Sequence, residues 1–344
     1  MVRLGMTAVI LAAGKGVRMR SSLPKVMHPV LGRPMVQYVI DTVRSIGADK
    51  VDLIVGYGRE RLTEILAGQD LGFVVQDQQL GTGHAIQCWA KAAATPPDTV
   101  LVVCGDTPLL SAATLKEMLA VHRAQQPAAT MMTLMMQDPG SYGRVLRDGA
   151  DRVTAIREAK DCAPEQLQVR EVNLAVYLFS GAALFEHLPR LTNNNRQNEY
   201  YLTDIIELMV GAGQTVLAVK EHDERSTLGI NSRADLARVA ALVGEATRLR
   251  HLDAGVGMDD PSQVYIEPTV EIGADTHLLP GVVLAGTTRI GSHCVIGPHV
   301  EIRNAVVEDG VIARHACIEN TTVRTGSRIG PFVHMSDEAG KRRD

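Results

Sequence analysis

Arg18 and Lys25 stand seven residues apart in the segment LAAGKGVRMRSSLPK (residues 11–25), behind two glycines, Gly14 and Gly16. A guanidinium presents a planar fork that suits phosphate oxygens, while an ammonium on a flexible stem is a mobile point charge. Glycines let the main chain approach a ligand closely, and successive N–H groups there form a concave nest for anions. The chemistry open to this group is the cradling of a nucleotide triphosphate. A loop with two solvated cations would look the same at this level. The dinucleotide fingerprint G-x-G-x-x-G fails, because Met19 stands where its third glycine belongs. The pattern G-x-x-x-x-G-K-[ST] is absent as well.

The elements that must hold this loop are legible around it. The run Ala8–Val9–Ile10 reads as a strand buried on both faces, and an open α/β sheet has its crevice where such a strand ends. Further strands are expected at Ala8–Leu11, Val51–Val55, Phe73–Gln76, Val100–Cys104, Thr130–Met135 and Val172–Phe179. Helical periods at Met35–Ile46, Glu60–Leu66 and Ala112–Ala124 lie between several of them. Alternation of this kind predicts an α/β fold with a doubly wound, mainly parallel sheet.

Arg233–Arg250 places Leu236, Val239, Leu242, Val243, Ala246 and Leu249 at helical spacing, with Ser232 as a candidate cap. Asp253–Ser262 is rich in Gly and Asp and reads as loop. A different rule then takes over: Ile266, Ile272, Leu278, Leu284, Ile290, Ile296 and Ile302 stand six apart, each preceded by a small or branched residue two positions earlier. The period continues less regularly through Val307, Ile312, Ile318, Val323 and Ile329. A short fixed period marks stacked repeats, and this one resembles the left-handed parallel β-helix of hexapeptide-repeat acyltransferases. The expected organisation is a first domain over 1–232, a linker over 233–263, a short coil over 264–335 and a tail over 336–344.

The chain has 344 residues, 45% of them apolar, and a net charge of −4, which fits a globular protein without the basic footprint of a nucleic-acid binder. No window approaches the apolar length of a membrane span, so no membrane insertion is expected. Five cysteines without a C-x-x-C pair fit reduced thiols in a cytoplasm.

The pattern L-A-A-G-x-G-x-R-M, followed by Pro24–Lys25, resembles the sugar-1-phosphate nucleotidyltransferases, and most closely the uridyltransferase half of the bifunctional GlmU family. Gln76, Leu80–Gly81–Thr82–Gly83–His84–Ala85, Gly105–Asp106, Tyr142–Gly143–Arg144, Glu158, Asn173, Glu199–Tyr200–Tyr201, Thr203–Asp204 and Asn231 match that family in order. The resemblance implies in-line attack of N-acetylglucosamine-1-phosphate on the α-phosphorus of UTP, with release of pyrophosphate. Both reactants are anions, and two unit charges 4 Å apart repel by about 4 kcal/mol at an effective dielectric of about 20. Arg18, Lys25 and Asp106 are the implied catalytic residues, with Mg²⁺ held by Asp106 and Asn231. Implied nucleotide contacts are Leu11, Ala12, Ala13, Gly14, Lys25, Gln76, Gly81 and Thr82. Implied sugar contacts are Gly143, Glu158, Asn173, Tyr201 and Asn231. His84, where a helix should begin, reads as packing or surface and not as a catalyst.

The resemblance also implies a homotrimer. The family's coil runs on for further rungs that carry an acetyl-transfer site, so acetyltransferase activity is not expected of this chain. Val17, Cys104 and Leu174–Ala175 depart from the family pattern, where Thr, Tyr and Thr-Gly are usual. The last of these lies beside the sugar and leaves open a pyrophosphorylase for another sugar-1-phosphate. A non-catalytic regulatory protein that binds a nucleotide sugar is the reading from a different class.

Overall fold

The structure is a computed structural model and describes residues 5–337. It separates into two compact units. The first comprises residues up to His28 together with Pro34–Asp235, and the second Pro29–Arg33 together with the chain from Leu236.

The first unit is built on a nine-stranded sheet. In chain order its strands are β1 (Met6–Leu11), β2 (Lys50–Val55), β3 (Gly72–Val75), β4 (Thr99–Cys104), β5 (Ala129–Met135), β6 (Arg144–Arg147), β7 (Val153–Arg157), β8 (Glu171–Ser180) and β9 (Val216–Glu221). The main path runs β9-β5-β8-β4-β1-β2-β3. β1 is central: it pairs in parallel with β2 and β4, and Ala8, Val9 and Ile10 are fully buried. That is the continuous apolar signature of a strand covered on both faces. β8 runs antiparallel to β4 and β5, and β6 and β7 form a hairpin off β8.

Helices α1 (Met35–Ser45), α2 (Arg59–Ile65), α3 (Thr82–Ala93), α4 (Ala112–Gln125), α5 (Gly181–His187) and α6 (Asp204–Gly211) lie between the strands. α4 is capped by the Ser111 hydroxyl, which accepts from the Thr114 N–H. The largest buried side chain is Trp89 on α3, and its indole N–H donates to the Asp52 carboxylate at 2.8 Å. A buried carboxylate is tolerable only with such partners.

α7 (Arg233–Asp253) carries the chain from the first unit into the second. Ser232 caps it as expected, accepting from the Asp235 N–H, while Asp235 accepts in return from the Ser232 N–H at 2.8 Å. The buried face differs from the apolar periodicity: Val239, Val243, Gly244, Thr247 and His251 are covered, whereas Ala246 and Leu249 are exposed. Small residues hold the buried stripe, and the Leu31 side chain lies within 4 Å of where a Gly244 Cβ would stand.

The rest of the second unit is a left-handed parallel β-helix of hexapeptide repeats. Three parallel ladders form its walls, two of five strands and one of four. Its interior is a continuous apolar stack that includes Ile266, Leu278, Leu284, Ile290, Ile296, Ile302 and Ile318. Thr276 and Thr288 are buried in the same stack, their hydroxyls donating to the carbonyls of Gly291 and Ala285.

Three details correct the expectation. The coil starts before residue 264, because Gly257–Met258, inside the expected loop, pairs with His277–Leu278. It runs past 335, because Ser336 closes the strand Val333–Ser336 opposite Glu319. Residues 338–344 of the expected tail lie outside the described residues. The irregular period also resolves differently: Ala313, not Ile312, takes the interior position, opposite Ile296 and Ile329. Ile266, Leu284 and Ile302 follow one another around full turns of eighteen residues, yet Ile302 pairs with Ile318 after only sixteen. The shortened corners turn on Asn304, His315 and Asn320, each with a positive φ.

Among the described residues, no helix is long and apolar enough to cross a membrane, and all five cysteines are free thiols.

Candidate active site

The loop after β1 is held at both sides before any ligand is considered. The Ala12 N–H donates to the Ile54 carbonyl at 2.9 Å, and the Gly105 N–H donates to the Leu11 carbonyl at 3.0 Å. Gly16 adopts φ +62°, and a Cβ there would stand 2.6 Å from the Lys25 Cβ. That position requires glycine, and the requirement brings the loop directly against Lys25.

Lys25 opens a 3₁₀ turn, Lys25–Met27, and points inward with only 13% of its side chain exposed. Its ammonium donates to the Asn231 amide oxygen at 2.7 Å and pairs with the Asp106 carboxylate. Main chain brings these distant residues together. Asp106 follows β4, and its carbonyl accepts from the Ile230 N–H at 2.9 Å. Asn231 is then fixed by its own N–H, which donates to Asp235 at 3.0 Å. Burial raises the Asp235 carboxyl, but the bonds from Ser232 and Asn231 and the charge of Arg18 outweigh it and hold the group ionised.

A cavity of about 290 Å³ opens beside this cluster. Of the expected nucleotide residues, Leu11, Ala12, Ala13, Gly14, Lys25, Gln76, Gly81 and Thr82 all line it, together with Asp106. Gln76 sits beyond β3 with its N–H bonded to the Val55 carbonyl; its side-chain amide donates to the Gly81 carbonyl at 3.0 Å and lies 3.1 Å from His84 Nδ1. Gly81 adopts φ +105°, and a Cβ would come within 2.6 Å of the Tyr200 carbonyl. The Tyr200 carbonyl accepts from the Gly83 N–H at 2.7 Å, which seats the start of α3. His84 sits in the first turn of α3 between Gln76 and Cys88, a packing position. Arg18 is exposed on the 3₁₀ turn Val17–Met19 and is not among the residues lining the cavity.

Of the expected sugar residues, Asn231 belongs to the Lys25–Asp106 cluster, while Gly143, Glu158, Asn173 and Tyr201 form a second group; none of the five is among those lining the cavity. The Asn173 N–H donates to the Gly143 carbonyl at 2.9 Å, and a Cβ at Gly143 would lie 3.6 Å from Glu158 Oε1. Thr203 donates its hydroxyl to Glu158 at 3.1 Å. The Asn173 side-chain amide donates to the buried Tyr177 hydroxyl at 2.7 Å. Tyr201 is nearly buried; its hydroxyl accepts from Gln197 at 2.7 Å and donates to Asp161. Burial pushes the Glu158 carboxyl up, and the nearby Asp204, Asp161 and Glu199 charges push the same way against the Thr203 bond. Ala175, two residues beyond Asn173, takes φ +55° where the register between β8 and β5 shifts.

Gln79 and Glu199 also line the cavity, and neither is among the expected site residues. Gln79 donates its amide to the Ala13 carbonyl at 2.8 Å, across the cradle. Glu199 lines the cavity and acts electrostatically on Glu158, so it joins the two groups. Cys104 lines the cavity as a neutral thiol, because burial pushes its pKa up to about 12.

Residues 8–255 match the MobA-like NTP transferase domain family, and residues 269–304 match the bacterial transferase hexapeptide family, six repeats. The protein is a nucleotidyltransferase that carries a hexapeptide-repeat coil. The bifunctional protein GlmU of an Exiguobacterium species is 43% identical over 332 residues, covering 96% of this chain and 73% of that protein. The GlmU proteins of Listeria monocytogenes and Clostridium botulinum are 41% and 40% identical, covering 72% of their own lengths. The chain belongs to the GlmU family of sugar-phosphate nucleotidyltransferases. A crystal structure from Bacillus anthracis, described as a glucose-1-phosphate thymidylyltransferase, superposes with a TM-score of 0.58 at 18% identity, over 69% of this chain and 95% of that one, and shares the fold.

Proposed function

We propose that the chain transfers a uridylyl group from UTP to N-acetylglucosamine-1-phosphate, giving UDP-N-acetylglucosamine, a cell-wall precursor, and pyrophosphate in the cytoplasm. The observation that carries this reading is the Lys25 ammonium held between Asp106 and Asn231 at the edge of the cavity lined by Ala13, Gln76 and Gly81. A sugar-phosphate oxygen forms a bond to the α-phosphorus of UTP as the bond to the bridging oxygen breaks and pyrophosphate leaves. Work of this kind is mostly positioning and charge stabilisation. Lys25 neutralises α-phosphate charge, and Arg18 supplies a second cation from its exposed turn. Gln76 and the main chain at Ala12–Ala13 and Gly81 read the uracil edge, since a primary amide both donates and accepts. Gly143, Glu158, Asn173 and Tyr201 face the sugar with neutral and anionic groups suited to hydroxyls. Cys104, held as a thiol, is no nucleophile at neutral pH.

A divalent metal fits the oxygens that the chain assembles. The Asp106 carboxylate and the Asn231 amide oxygen already converge on one cation, the Lys25 ammonium. An all-oxygen set with room for water suits Mg²⁺. When bound there, the ion would neutralise phosphate charge and orient the triphosphate.

One observation favours a second reading of the sugar. Ala175 places a methyl group, in a conformation natural to glycine, two residues beyond Asn173. Another hexose-1-phosphate is then the preferred acceptor.

The test is pyrophosphate release from UTP and Mg²⁺ with a panel of sugar-1-phosphates. N-acetylglucosamine-1-phosphate is expected to give the highest kcat/KM, and Asp106→Ala to lose nearly all activity. Full activity in Asp106→Ala removes the metal assignment, and a binder without turnover supports a regulatory protein instead. Acetyl-CoA with glucosamine-1-phosphate is expected to release no thiol. Sedimentation is expected to report a homotrimer.

A further inference from the structure

Cys317, Glu319 and His334 bring a thiol, a carboxylate and an imidazole together on the coil, with their ligating atoms all within 4.8 Å of one another. The ladder dictates the meeting. On the strand Ala316–Glu319, Ala316 and Ile318 are buried in the interior, so Cys317 and Glu319, two positions apart, share the outer face. The next rung pairs in parallel with Cys317 opposite His334. Neighbouring strands lie about 4.8 Å apart, so side chains at paired positions stand one above the other. His334 Nε2 comes to 3.4 Å from a Glu319 carboxylate oxygen. An ion pair alone would explain those two groups, but not the thiol aimed at the same point.

We propose that Cys317 Sγ, the Glu319 carboxylate and a ring nitrogen of His334 bind one thiophilic divalent transition-metal ion of the Zn²⁺ type, with water completing a tetrahedral shell. Sulfur, nitrogen and oxygen donors in this number match an open zinc site. A thiolate donor selects against Mg²⁺ and Ca²⁺, which take oxygen ligands. The site thus differs in kind from the oxygen pair Asp106 and Asn231, and it belongs to the other unit. The ion would clip the strand Val333–Ser336 to the rung before it. Binding displaces the thiol proton, so affinity rises with pH.

The test titrates the 344-residue chain, stripped with EDTA, with Co²⁺. The parent is expected to develop a near-ultraviolet thiolate-to-cobalt charge-transfer band that saturates at one ion per chain and resists excess Mg²⁺. Cys317→Ser is expected to abolish the band, and His334→Ala to weaken Co²⁺ binding by about tenfold or more. Cys88→Ser, whose thiol lies 3.7 Å from His84, is the control expected to leave it unchanged. Zn²⁺ is expected to raise the melting midpoint of the parent but not of Cys317→Ser, while the two melt together in EDTA. The absence of a band in the parent, its survival in Cys317→Ser, its loss in Cys88→Ser or a parent midpoint unmoved by Zn²⁺ would each overturn the proposal.

Discussion

The Lys25 ammonium donates to the Asn231 amide oxygen at 2.7 Å across 206 positions of sequence. The same ammonium pairs with Asp106, so one cation organises the two oxygen donors of the site. Lys25→Met removes that charge while keeping the stem, and pyrophosphate release is expected to fall by about a hundredfold or more. Steady-state kinetics should place most of the loss in kcat. A variant within a few-fold of the parent would show that Lys25 only packs against Gly16.

Gly81 carries the bend into α3 at φ +105°, against the Tyr200 carbonyl. Gly81→Ala has neither the conformation nor the space, and a cost of about 1–3 kcal/mol is expected. Urea unfolding measures it. The KM for UTP should rise more than kcat falls, because the Gly81 carbonyl also orients Gln76.

Ala175 is an L-residue in the left-handed region, at φ +55°. Ala175→Gly relieves that strain, partly offset by the greater freedom of glycine in the unfolded chain, and is expected to stabilise by up to about 1 kcal/mol. The same variant run through the sugar-phosphate panel should shift acceptor preference. Identical profiles would separate Ala175 from specificity.

Asp204 stands in the first turn of α6, where a helix favours negative charge. Burial wins, and its carboxyl is pushed up from 3.8 to about 6, with Glu207 and Asp161 adding to the shift against Arg157. The folded state therefore holds this proton more tightly than the unfolded chain does. The resulting destabilisation is absent below the unfolded value, grows as pH rises between the two, and is complete above the folded one. Asp204→Asn should raise the thermal midpoint near pH 7 and leave it almost unchanged near pH 3, below the unfolded value. A gain of equal size at both would show that the charge is not the cause.

Long apolar runs made most of the sheet legible. The strand expected at Ala8–Leu11 is Met6–Leu11, and that expected at Val172–Phe179 is Glu171–Ser180. The hairpin Arg144–Arg147 and Val153–Arg157 lies outside the expected strands, because its strands are short and end in arginines. α7 misled because its covered stripe is small and polar, at Gly244, Thr247 and His251, while Leu249 faces out. In the site, glycines and cations at marked spacing are visible in one dimension. Gln79 is not: its role is a single bond to the Ala13 carbonyl, 66 positions away, which no local pattern encodes. Ile312 misled for a related reason, since a lost corner residue moves the inward slot to Ala313.

Such lost corner residues have a wider consequence. Ile302 sits over Ile318 as squarely as Leu284 sits over Ile302, although the intervening turn is two residues shorter. Alignment between turns is enforced by main-chain bonds and the stacked aliphatic bore, not by counting residues. Corners such as Asn304, His315 and Asn320 can therefore gain or lose length while the bore keeps its diameter, and growth or trimming of this chain is tolerated first at its edges.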